Sequence, residues 1–270
     1  GSGVMDEIPV DSNGYPLELP YNTSAGLQRA RAPISANGHI PMGQYVLLYD
    51  GTGVAFPGGY LTIDSVQPNR VEFTIYNEDN FWLDITESQL GDHVRNIRIV
   101  RPEHEFNYET EPFYDVFLER VSHFPSLRLM DWGHTNHSPI VEWSDRRKPW
   151  HQTQAGEYGV AMEYWIQLSN LLQKDPWICV PHQASDDYIR KMARMFRDQL
   201  DPNLTIYLEY SNEVWNWSFQ QSHWNVDNGP GNLSYPRIYA ERSLNVFELW
   251  YEEFGADTGR VKRVLATQAA

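Results

Sequence analysis

Apolar and polar positions change rhythm along this chain. Residues 4–43 carry no strong helical period and are rich in Gly, Pro and Asn, with a turn-forming run at Asp11-Ser12-Asn13-Gly14-Tyr15-Pro16. From 44 to 101, short runs typical of strands take over at 45–49, 60–65, 71–76, 81–86 and 94–100. Turn signals at Asp50-Gly51-Thr52-Gly53, Pro57-Gly58-Gly59, Gln67-Pro68-Asn69-Arg70 and Gly91-Asp92 separate them. Short strands punctuated this closely predict a small antiparallel β-sandwich.

After Pro102 the rhythm becomes strand, loop, helix, repeated. Residues 112–123 bring Phe113, Val116, Phe117 and Val121 to near-helical spacing. Residues 157–174 place Met162, Trp165, Ile166, Leu168, Leu171 and Leu172 on one side and stop at Asp175-Pro176. Ser185-Asp186-Asp187 provides a cap and acidic residues for a helix from about Tyr188 to Leu200. A further helix spans about 235–254 and closes at Gly255, after a long loop at 216–234. Short strands are expected at 127–130, 177–180, from Tyr207 onward, and at 261–266. Alternation of this length implies a parallel sheet. No strand is followed by a G-x-G-x-x-G turn and no P-loop is present, which disfavours a dinucleotide or nucleotide fold. The predicted class is α/β: a loop-rich segment at 1–43, a small β-sandwich-like domain at 44–101, and a partial (β/α) TIM-type barrel at 102–270 holding about strands 2 to 5.

Composition narrows the chemistry. Of 270 residues, 41% are hydrophobic and 21% charged, ordinary for a globular chain, but aromatics reach 14% with ten Trp and sixteen Tyr. That excess suits a carbohydrate binder. A formal charge of −15, without any Lys/Arg-rich run, argues against nucleic acid or an anionic membrane as partner. The single Cys179 lies in an apolar run, so no intrachain disulfide is available and the thiol is expected in a core. No apolar stretch approaches a membrane span and the first residues lack a secretion-signal plan, which leaves localisation open.

The strand ends carry the candidate chemistry. The run Tyr207-Leu208-Glu209-Tyr210-Ser211-Asn212-Glu213-Val214-Trp215-Asn216-Trp217 reads as a buried strand emptying into a polar, indole-rich loop, with Glu213 at the rim where barrels hold catalytic groups. The earlier strands deliver Arg128, Asp131, Trp132, His134 and His137, and then His182. Residues four apart on a strand face one side, so Glu209 lies deeper than Glu213, where it tunes Glu213 through Arg128 without reaching a ligand. Arg128 as simply the buried partner of Glu209 fits the same pattern. A metal site built on His134, His137 and His182 is the weaker alternative, because Gly133 and Pro139 mark a loop and no carboxylate completes the set. No metal or cofactor is expected.

Glu209-Tyr210-Ser211-Asn212-Glu213 resembles the fourth-strand motif of glycoside hydrolase clan A, the retaining (β/α)8 enzymes that include the cellulase-like family 5. Residues 127–132, 175–182 and 210–216 also look like a group of bacterial proteins with this barrel, and the similarity covers roughly 110–270. The resemblance implies Glu213 as general acid/base and Asn212 as ligand of the sugar 2-hydroxyl. It implies flanking roles for Arg128 and His182, and leaves Trp132, His137, Trp215 and Trp217 to contact a β-glycan substrate. The clan takes its nucleophilic Glu from the seventh strand, whereas this chain stops on the fifth. The expectation is therefore a truncated form that lacks its nucleophile, with self-association or a missing C-terminal segment covering the open barrel. Asp131 and Glu142 are the nearby carboxylates that could substitute. A non-catalytic carbohydrate-binding or structural protein is the competing reading. In the sandwich, Tyr60, Tyr76 and Trp82 are potential sugar contacts, with packing the stronger expectation.

Overall fold

The computed structural model describes residues 2–35 and 40–268; positions 36–39 of the loop-rich segment lie outside that set. The chain divides into two compact units, one formed by 1–112 with 150–152 and the other by 113–149 with 153–270. Both α/β and all-β architecture are present: the described residues form one parallel four-stranded sheet and three antiparallel sheets. Among the described residues, no helix is long and apolar enough to cross a membrane.

Among the described residues the first unit has nine strands: β1 (Tyr21–Thr23), β2 (Gly26–Gln28), β3 (Ala30–Ser35), β4 (Gly43–Asp50), β5 (Gly53–Gly59), β6 (Leu61–Gln67), β7 (Arg70–Ile75), β8 (Phe81–Ser88) and β9 (Arg95–Val100). β1 and β2 pair as a hairpin, β3-β8-β5 form one sheet and β6-β7-β4-β9 another. The segment read as loop-rich thus supplies three strands, which the Gly and Pro content hides. Pro33 and Pro57 are tolerated because β3 and β5 are edge strands, where a missing N–H breaks no ladder. Gly58 is needed within β5 because a Cβ there would come within 2.3 Å of the Trp82 indole on the neighbouring strand. Period-two burial is clean on β7, where Val71, Phe73 and Ile75 face inward between polar neighbours. These join Leu47, Ala55, Phe81 and Leu83 from both larger sheets in one core, with Phe73 stacked between Tyr45 and Phe81. Trp82 is occupied structurally: its N–H donates to Asp84 and the Arg31 guanidinium covers its ring at 4.8 Å. Tyr60 and Tyr76 remain about half exposed.

The second unit holds α1 (Asp115–Ser122), β10 (Ser126–Arg128), α2 (Met162–Leu172), β11 (Asp175–Val180), α3 (Asp186–Gln199), β12 (Ile206–Tyr210), α4 (Gln220–Asp227), α5 (Tyr235–Phe254) and β13 (Val261–Val264). Its four strands are parallel and adjacent in chain order, β10-β11-β12-β13. Ile178, Val180, Leu208 and Tyr210 from one face of this sheet enter the core with Ile166 and Leu168 of α2, Ile189, Met192 and Phe196 of α3, and Val246 and Trp250 of α5. Cys179 pairs with Glu209, and Arg128 with Trp177, so all four side chains stand on the opposite face.

Two differences from the periodicity bear on the second unit's helices. α2 starts at Met162 rather than near 157, because Gly156 and Gly159 take left-handed φ of 85° and 65°. The stretch 216–234 contains α4, whose buried positions are Gln221, Ser222 and Asn225; a helix that buries polar side chains leaves no apolar stripe to read. The N-terminus of α3 follows expectation, with Ser185 Oγ accepting from the Tyr188 N–H at 3.2 Å. Ser185→Ala should lower the stability of this unit by about 1 kcal/mol, measurable as a drop in the thermal midpoint; an unchanged midpoint would show that solvent replaces the cap without loss.

Candidate active site

The end of β12 turns sharply. Ser211 and Glu213 both adopt left-handed backbone, with φ of 58° and 41°. Such conformations are costly for residues other than glycine and gather where a site dictates the geometry. Between them Asn212 is 3% exposed. Its Oδ1 accepts from Arg128 Nη2 at 2.9 Å and its Nδ2 donates to Asn136 Oδ1 at 2.9 Å.

Arg128, at the end of β10, also donates to Glu209 Oε2 at 3.1 Å. That oxygen receives the Trp177 indole N–H at 2.8 Å and faces the Cys179 sulfur at 3.5 Å. The guanidinium lies 5.1 Å from the Trp177 ring centre, adding a cation–π contact. Burial works against the Arg128 charge, but its interactions outweigh that penalty, those with the Glu209 carboxylate being the ones that act at neutral pH, and its pKa moves up. Burial and then the Glu209 charge push the Cys179 thiol well up, so the sulfur stays protonated and unreactive at neutral pH. The counter-charge to Arg128 is therefore Glu209, which is 1% exposed and inaccessible to a ligand. Arg128 links Glu209 to Asn212, whereas the recorded partner of the Glu213 carboxylate is the Asn216 amide at 2.9 Å.

A second layer of amides fixes Asn212. Gln221, fully buried at the start of α4, donates to Asn136 Oδ1 at 2.7 Å and to the Asn212 carbonyl at 2.8 Å. Its Oε1 accepts from the His137 N–H at 3.2 Å. Nothing in the sequence singles out Asn136 or Gln221, since neutral amides carry no charge or period; the only signal is the polar loop after β10, where Asn136 lies two residues beyond His134.

The remaining candidates fall in different places. His137 is exposed, with φ of 58°, its ring edge-on to Phe219 and its Nδ1 accepting from the Gln220 N–H. His182 is completely buried, perpendicular to Trp224 at 5.7 Å, and neither ring nitrogen has a hydrogen-bond partner. Burial, assisted by His137, depresses its pKa to about 4, so it is neutral near pH 7. Trp132 is partly buried, its ring parallel to Phe117 at 5.9 Å and to Phe113 at 6.4 Å and packed against the core. Trp215 is partly buried. Trp217 is about half exposed and leans on Tyr235 and His223. Of the two substitute carboxylates, Asp131 is exposed, while Glu142 accepts from Ser185 Oγ at 3.1 Å beside α3. Among the described residues, no group of three or more His, Cys, Asp or Glu side chains gathers as a metal site would.

The arrangement offers an oriented amide held by a permanently charged guanidinium, a carboxyl group on the next residue and an exposed indole further along the loop. No protein-family model matches the chain, and neither does any curated protein or solved structure.

Proposed function

We propose that the second unit is an arc of a (β/α) barrel whose strand-end site acts on a β-linked glycan with retention of configuration, Glu213 serving as general acid/base. The barrel reading is supported by four parallel strands that neighbour one another in chain order without reversal; a doubly wound sheet would reverse its order at the switch point where ligands bind. One face of the sheet packs on helices, and the other carries Arg128, Trp177, Cys179 and Glu209.

The observation that carries the functional reading is the Asn212 side chain, held rigidly by Arg128 and Asn136 immediately before Glu213. Asn212 is itself nearly sealed, at 3% exposed, so in this reading it fixes the turn that presents Glu213, a carboxyl group that can protonate a glycosidic oxygen. Retaining hydrolysis needs a second carboxylate about 5 to 5.5 Å away. Glu209 is sealed against Trp177 and Cys179, so in this reading the nucleophile comes from outside the Arg128–Asn212 cluster, from a second copy or a further polypeptide segment. Glycan binding without cleavage is the second reading, favoured by the engagement of Glu142 with Ser185.

A panel of aryl β-glycosides separates them. With poor leaving groups, Glu213→Gln should slow hydrolysis on the order of a hundredfold. With a dinitrophenyl leaving group, which needs no protonation, glycosyl transfer should survive and azide should restore turnover as the β-glycosyl azide. Equal rates in the parent and Glu213→Gln would remove Glu213 from the mechanism. Saturable binding of β-linked oligosaccharides with no turnover by the parent at any protein concentration would remove the second-copy route and favour the binding reading for this chain.

A further inference from the structure

A cavity of about 330 Å³ lies between α4 and α5, with walls that include Trp224, Asn225, Asn228, Ile238, Arg242 and Asn245. Its size falls at the lower end of small-ligand pockets. Asn225 is 2% exposed and its Nδ2 has no hydrogen-bond partner; Arg242 Nε is likewise buried and unpaired. Buried donors are seldom left unpaired, so two of them at one cavity mark a place where an acceptor is expected.

The lining also says what kind of acceptor. Arg242 already holds the Asp186 carboxylate at 3.0 Å, the Ala184 carbonyl at 2.7 Å and the Asn245 Oδ1, which neutralises its charge. Glu241 stands at the cavity as well, so an anionic ligand would meet a carboxylate rather than a free cation. Three amides offer both donors and acceptors, while Trp224 and Ile238 supply apolar walls. That combination suits a small neutral ring bearing several hydroxyl groups, with hydroxyl oxygens accepting from Asn225 and Arg242 and its less polar face against the indole or Ile238.

We propose that the α4/α5 cavity binds a neutral, polyhydroxylated ring of monosaccharide size, independently of the chemistry at Glu213. The cavity is not isolated from the strand-end site. Trp224 borders it and also meets His182, while Gln221, one turn earlier on α4, holds Asn136 and the Asn212 carbonyl.

Ligand-observed NMR by saturation transfer, with glucose, galactose, mannose and N-acetylglucosamine as probes, tests the assignment on the full chain. At least one sugar should show transfer in both the parent and Glu213→Gln. The same signal should vanish in Asn225→Leu and weaken about tenfold in affinity in Asn245→Ala, the loss expected for one hydrogen bond and its orphaned partner. Asn245 is only partly buried, so that variant keeps the test valid if Asn225→Leu folds poorly. No transfer from any of the four sugars overturns the proposal. Transfer that survives Asn225→Leu and Asn245→Ala overturns it too, and transfer lost in Glu213→Gln would assign the signal to the strand-end site instead. Hydrolysis of aryl glycosides is read separately, so either site can fail alone.

Discussion

Arg128→Met should destabilise the second unit by about 3 kcal/mol, whereas Glu209→Leu should cost roughly 1 kcal/mol. The asymmetry follows from burial. Removing Arg128 leaves a carboxylate that is 1% exposed with the Trp177 N–H and a weakly polar thiol as its remaining recorded partners. Breaking a fully buried pair in this way costs about 3 to 5 kcal/mol, and the lower end applies because the Arg128 side chain is 39% exposed and partly hydrated. Removing Glu209 leaves Arg128 near water, still bonded to Asn212 and lying on the Trp177 ring. The double variant Arg128→Met/Glu209→Leu should recover to within about 1 kcal/mol of the parent, since replacing both partners together leaves no uncompensated buried carboxylate. Urea unfolding of all four proteins gives the cycle. Equal costs for the two single changes, with additivity in the double, would mean that the pair is solvated and contributes no orientation to Asn212.

That pair shows which parts of the site could be read from sequence. The four-residue spacing of Glu209 and Glu213 puts the first in the strand and the second at its end, and the structure has Glu209 inside β12 and Glu213 beyond it. Arg128 and His182 follow the preceding strands in the expected order because short apolar runs closed by Pro or polar residues mark parallel strands well. The supporting amides were beyond reach for a physical reason. Asn136 lies 76 residues from Asn212 and Gln221 is nine away, on a helix whose buried residues are polar. Hydrophobic periodicity reports where apolar side chains avoid water, and it is silent where burial is achieved through hydrogen bonds. Trp132 illustrates the converse. An indole beside a polar loop reads equally well as a sugar platform or as packing, and the sequence gives no hint of the contacts that Phe113 and Phe117 make with it. In the first unit, β5 escaped because its glycines read as turns, although one of them exists to let Trp82 cross.

Between about pH 6.5 and pH 4, His182 should make the second unit lose roughly 3 kcal/mol of stability. Its folded pKa is depressed to about 4, so across that window the unfolded chain carries a proton on this ring that the native fold excludes. Stability therefore rises with pH through the window and is fully present above about 6.5; it is lost as pH falls toward 4, below which both states are protonated and the contribution is constant. Carboxylates add a separate acid sensitivity near and below their own pKa values, so the His182 share has to be isolated by substitution. His182→Leu serves because neither ring nitrogen has a partner to lose. At pH 7.5 the variant should lie within about 1 kcal/mol of the parent, since it trades an unsatisfied polar ring for an apolar side chain. At pH 4.5 it should be the more stable of the two, by an amount that approaches the full linkage term. Parallel stability–pH curves for the two proteins would mean that the imidazole is hydrated or hydrogen-bonded in solution. A variant that is stable yet has lost oligosaccharide binding would instead identify the unpaired nitrogens as reserved for a ligand, the trade of stability for function that buried polar groups without partners commonly represent.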